Sequence, residues 1–119
     1  MKFDKQAALV LRLYKATSEG KLEWKPSSRD EAFQVSFPSF TVVLSVTNQD
    51  ETAIEVKSDE GDTIDSFGDP QLTNAELIAA PPGDAISWFQ AMAELYRMAR
   101  RTALGVDKAL DDILKEIPE

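Results

Sequence analysis

The chain has 119 residues, 43% hydrophobic and 29% charged, with a net charge of −8 and neither cysteine nor histidine. That length and balance suit a single globular domain over residues 1–119, large enough to bury a core without covalent staples. The missing residue types exclude disulfides, thiolate nucleophiles, zinc-finger ligand sets and imidazole acid–base chemistry.

Residues 3–18 have the spacing of an amphipathic helix. Phe3, Ala7, Val10, Tyr14 and Thr17 recur at three and four, with Leu9, Leu13 and Ala16 beside them and Lys5, Arg12 and Lys15 on the other face. Gly20 supplies the positive φ that commonly ends a helix. Lys21 to Trp24 read as an extended lead-in and Pro26 to Asp30 as a loop. Phe33, Val35 and Phe37 then alternate with Gln34 and Ser36, the period of a strand. Pro38-Ser39 turns the chain into a β-rich run over 40–47, in which Val42, Leu44 and Val46 are expected to face the core. A third strand is predicted over 52–58 around Ile54 and Val56, and a fourth over 63–67 around Ile64.

Residues 68–83 lack a period and are punctuated by Pro70, Pro81, Pro82 and Gly83. One helical turn is expected near 73–79, with Leu72, Leu77 and Ile78 pinning the segment to the body. A long helix follows over 85–104, capped by Asp84, with Trp88, Phe89, Met92, Leu95, Tyr96, Ala99 and Ala103 as its apolar stripe. Gly105 ends it. Asp107 is expected to cap a last helix, 108–117, whose Leu110, Ile113, Leu114 and Ile117 share one side. The predicted fold is α+β: an N-terminal helix, a four-stranded antiparallel meander, and two C-terminal helices packed on one face of the sheet.

The segments LYRMARRTALGVDKALDDILKE (95–116), GKLEW (20–24) and LYKAT (13–17) resemble a group of small bacterial proteins of uncharacterised function, some of them prophage-associated. The resemblance implies a bacterial, cytoplasmic setting. It carries over no activity, cofactor or catalytic residue.

Charge is unevenly placed. Residues 1–30 carry seven basic and four acidic side chains, 31–83 one basic and ten acidic, and 84–119 five basic and seven acidic. The excess negative charge belongs to the middle of the chain and repels phosphate, so direct nucleic-acid binding is not expected there. No stretch reaches the roughly 20 apolar residues of a membrane span. Arg12 and Lys15 interrupt the first apolar run, so a soluble N-terminus is expected rather than a signal peptide. Absence of cysteine suits a reducing cytoplasm.

The densest acidic stretch is SDEGDTID (58–65), with Asp59, Glu60, Asp62 and Asp65 around Gly61. A helix–loop–helix calcium site needs glycine at its sixth position and glutamate at its twelfth. Counting from Asp59 gives Ile64 and Gln71, and from Asp62 Phe67 and Thr73, so that spacing fails. The flanking β pattern makes the stretch a hairpin tip, and the four carboxylates become candidate partner-binding residues for a basic surface. Arg97, Arg100 and Arg101 close a helix whose dipole they complement, with Glu94 and Asp107 as expected partners. Trp24, Trp88 and Tyr96 are candidates for a pocket between helices and sheet, although core is the better reading for Phe89 and Tyr96.

No catalytic, metal or cofactor-binding set emerges, and the expected function is a non-catalytic interaction domain. Its partner would be another protein, basic in the acidic-docking version, or a second copy of the chain. The alternatives are a small-molecule binding module around the two tryptophans and an acidic nucleic-acid mimic that inhibits a basic protein.

Overall fold

The structure, a computed structural model, describes residues 3–74 and 80–118. Helix α1 spans Asp4–Ser18 and buries Ala7, Val10 and Thr17 of the predicted stripe together with the neighbouring Leu13, while Phe3 and Tyr14 are partly buried. Strands β1 (Lys25–Pro26), β2 (Phe33–Ser36), β3 (Phe40–Val46), β4 (Thr52–Ser58) and β5 (Thr63–Gly68) follow, then α2 (Asp69–Asn74), α3 (Trp88–Leu104) and α4 (Val106–Glu116). The strands form one antiparallel meander in the order β1-β2-β3-β4-β5. The architecture is therefore α+β with an antiparallel sheet, and it has five strands rather than the predicted four. The additional one is β1, whose Lys25 pairs with Gln34 and Pro26 with Phe33. Proline is tolerated there because an edge strand has one side that needs no donor.

One cross-strand row, Phe33–Leu44–Ile54–Phe67, runs through the centre of the sheet and is fully buried. Helices α1 and α3 cover that face, closing a core with Val10, Leu13, Met92, Leu95 and Ala99. One expectation for this face fails. Val46 is exposed at the end of β3. Ile64 is skipped at a bulge, because Lys57 pairs with Thr63 and Val56 with Asp65. The additional residue shifts the side-chain alternation by one, so Asp65 and Phe67 take the inward register and Ile64 is left 57% exposed.

Helix α2 begins at Asp69 and buries Leu72, as expected; the predicted turn near 73–79, with Leu77 and Ile78, lies mostly outside the described residues. Helix α3 begins three residues later than expected. Its N-cap is Ser87, whose Oγ accepts the Gln90 amide at 3.1 Å, and not Asp84. Phe89, predicted as core, is 50% exposed, because Trp88, Met92, Leu95 and Ala99 define the buried row and Phe89 sits beside it. Asp107 likewise caps nothing; Gly105, at φ 61°, occupies the cap position of α4, and Asp107 pairs with Arg101 at 2.7 Å.

Helix α4 departs furthest from expectation. Its main contact with the body is through α3, and none of its own residues is buried. A compact domain of this length has a radius of gyration of about 13.5 Å by the usual scaling. This one has 15.4 Å, with a long axis of 57 Å.

Candidate functional site

The pocket candidates resolve into packing. Trp24, Trp88 and Tyr96 all belong to the buried core cluster. Trp24 Nε1 donates to Thr17 Oγ1 at 3.0 Å, sealing the end of α1. Tyr96 stacks obliquely on Phe33, with centroids 5.6 Å apart, and its hydroxyl donates to the Glu31 carbonyl at 2.6 Å. Burial, and then the nearby Glu31 carboxylate, raise the Tyr96 phenol above its ordinary value. Among the described residues every buried side-chain polar atom has a partner, so these three aim no spare donor or acceptor at a ligand. Two hollows of about 450 and 440 Å³ open elsewhere, one at the α3–α4 bend by Thr17 and Arg101, the other beside Leu22 and Phe37.

The acidic stretch is divided by the fold. Asp59, Glu60 and Asp62 crowd the exposed β4–β5 tip, where Gly61 takes φ 91° and the Ser58 amide donates to the Asp62 carbonyl at 2.8 Å. Asp65 does not join them. It lies on the helix-covered face, half-buried, and accepts Gln6 Nε2 at 3.0 Å. The neighbouring carboxylates scatter further. Asp50 and Glu51 sit at the opposite end of β4, and Glu55 faces outward within reach of Arg29 and Lys57. Asp69 is buried and accepts the Thr52 amide at 2.9 Å. The negative segment thus forms no single acidic face, and among the described residues no three carboxylates converge on a cation-sized site.

The arginines behave as helix-end cations. Arg101 pairs with Asp107, and Arg100 reaches Glu31 at 3.9 Å. Glu94 does not serve them; it accepts the Tyr14 hydroxyl at 2.6 Å, joining α1 to α3. That hydrogen bond, then burial, raise the Tyr14 phenol above its ordinary value.

What the fold leaves open is apolar. On α4, Leu110, Ile113 and Leu114 share one face and are 48%, 49% and 68% exposed, and Ile117, the extended residue just past its last turn, is 56% exposed. Val106 opens the same row. At 100° per residue, Asp107 and Asp111 flank this stripe on one side and Glu116 on the other. The two lysines, Lys108 and Lys115, fall on the back, where Lys108 pairs with Asp112 at 3.0 Å. A second apolar feature lies on the outer side of α1: Leu9, Leu13 and Ala16 form a groove of about 250 Å³ with Leu22, Phe37 and Arg12. Alternation over 33–37 puts Phe37 on the core side of its strand, yet it ends up 40% exposed, just past the last residue of β2. The α4 stripe was legible as an apolar row. That no described residue covers it is a tertiary fact that no local spacing contains.

Comparison with protein-family models, with curated proteins and with solved structures returned no match.

Proposed function

We propose that this chain is a non-catalytic interaction domain that binds a protein partner through the exposed face of α4. One observation carries the reading: an 11-residue amphipathic helix in which no residue is buried. Isolated helices shorter than roughly 12–15 residues are marginal in water, and most helices draw their stability from packing an apolar face. Four large side chains, from 48% to 68% exposed, offer on the order of 4 kcal/mol of gross burial energy to whatever covers them. Docking an amphipathic helix into an apolar groove is an established mode of protein recognition. The acidic residues along the stripe favour a partner whose groove has basic edges.

The scattering of residues 50–69 weakens the acidic-face version of the interaction, and the buried tryptophans weaken the small-molecule version. No helix among the described residues is long and apolar enough to cross a membrane. A bacterial, cytoplasmic setting belongs to the same proposal and rests on the resemblance and on the lack of cysteine.

The test is affinity capture from bacterial lysate with three baits: the native chain, the helix variant Leu110→Glu/Leu114→Glu, and the tip variant Asp59→Asn/Glu60→Gln/Asp62→Asn. All three baits are expected to keep the native circular dichroism spectrum. Capture is expected to be lost with the helix variant and retained with the tip variant. The opposite pattern moves the contact to the tip and rejects α4.

A further inference from the structure

The α4 stripe and the α1 groove are complementary to each other. The stripe is apolar between acidic borders, and among the described residues Asp111 and Glu116 make no ion pair. The groove is apolar with basic borders. Arg12 lines it without an ion pair among the described residues, and Lys5 lies two turns earlier on the same face of α1. The adjoining hollow, which shares Leu22 and Phe37 with the groove, is mixed in charge: Lys25 and Glu23 border it, with Lys21 paired to Glu19 at 3.1 Å.

We infer that the partner of α4 is a second copy of this chain, with α4 of each protomer laid in the Leu9–Leu13–Ala16–Leu22–Phe37 groove of the other. The inference rests on the reading of α4 as a contact surface and adds the identity of the occupant. Two reciprocal contacts related by a twofold axis close on themselves, so the assembly stops at a dimer. They also double the area of a single helix-in-groove contact, toward the 1,200–2,000 Å² usual for a stable interface. Pairing α4 directly with another α4 is disfavoured, because in every alignment both borders of the stripe are acidic and like charges meet. An anionic lipid surface is disfavoured for the same reason, since the lysines face away from the stripe.

The experiment combines sedimentation velocity with site-specific cross-linking, which the absence of native cysteine makes clean. The native chain is expected to dimerise with concentration and to dissociate as salt rises. Arg12→Glu is expected to weaken the dimer about tenfold, and Asp111→Lys in the same chain to restore it, the sign of a direct charge contact. Leu114→Glu, on an exposed position, is expected to yield a folded monomer. In an oxidised mixture of Ala16→Cys chains and Ala109→Cys chains, the disulfide is expected between unlike chains. Disulfides between Ala109→Cys chains alone, or an intrachain disulfide in the Ala16→Cys/Ala109→Cys double variant, overturn the reciprocal arrangement in favour of α4–α4 pairing or of a self-closed monomer. A chain that stays monomeric at every concentration overturns the second-copy assignment. In that case the capture experiment above still decides whether α4 binds another protein.

Discussion

Leucine 95 and leucine 114 make the same substitution a test of where the chain keeps its core. Leu95 sits in the middle of α3 with 0% of its surface exposed, against the sheet row and α1; Leu114 sits on α4 with 68% exposed. Leu95→Ala removes a fully buried side chain and leaves a cavity, which in close-packed interiors costs about 2–5 kcal/mol. Leu114→Ala removes a side chain that is only about one-third covered, so the transfer cost scales to less than about 1 kcal/mol, with no cavity. Alanine is also the better helix former, which offsets a small part of that loss. Urea unfolding followed by tryptophan fluorescence reads both, because Trp24 and Trp88 are buried in the folded core and become exposed together. The measurement is made at high dilution, where association contributes least to stability. Leu95→Ala is expected to move the midpoint strongly and Leu114→Ala hardly at all. A loss at Leu114 comparable to that at Leu95 refutes the argument, since it requires α4 to be packed within its own chain.

Asp69→Ala is expected to cost about 1–3 kcal/mol in the same assay, because it leaves the buried Thr52 amide without its carboxylate acceptor. Asp69→Asn, which keeps an acceptor oxygen, should recover part of that loss. Gly83→Ala is expected to destabilise in the same range: Gly83 has φ +64°, and an added Cβ would stand 2.7 Å from the Tyr14 hydroxyl. Raised phenol pKa values at Tyr14 and Tyr96 mean that the folded state holds those protons more tightly than the unfolded state. Their contribution is fully present below the unfolded tyrosine pKa, near 10, and is lost as pH rises through the higher folded values. Thermal melts from neutral to alkaline pH should show that loss, and Tyr14→Phe should make its alkaline limb shallower.

Most of the fold was legible because its signals are local. The three-and-four spacing of α1, the two-residue alternation of β2 and the Gly61 turn each follow from the chain's own dihedral preferences. The failures lie where a non-local contact competes with a local one. Asp84 and Asp107 both offer a capping carboxylate, but Ser87 takes the first cap and an ion pair with Arg101 removes the second candidate. The bulge opposite Lys57 inverts the alternation of β5, so Ile64 and Asp65 exchange faces. That exchange also broke the candidate acidic site, since it carried Asp65 to Gln6 and away from Asp59, Glu60 and Asp62.

α4 exposes a deeper limit. Leu110, Ile113, Leu114 and Ile117 have the spacing of one helix face, as residues of a buried helix would, and the expected packing on the sheet followed from that pattern alone. An amphipathic stripe states that an apolar face needs a cover, but not whether the cover belongs to the same chain. The charges at its edges carry the additional information. Acidic borders on both sides give a helix that must find a separate surface selectivity for a basic one. Here Asp107 and Asp111 stand on one side and Glu116 on the other, while the lysines face away. The complementary borders, Arg12 and Lys5, lie on α1 at the opposite end of the sequence. On the second-copy proposal, the basic surplus of residues 1–30 lies opposite the acidic borders of α4.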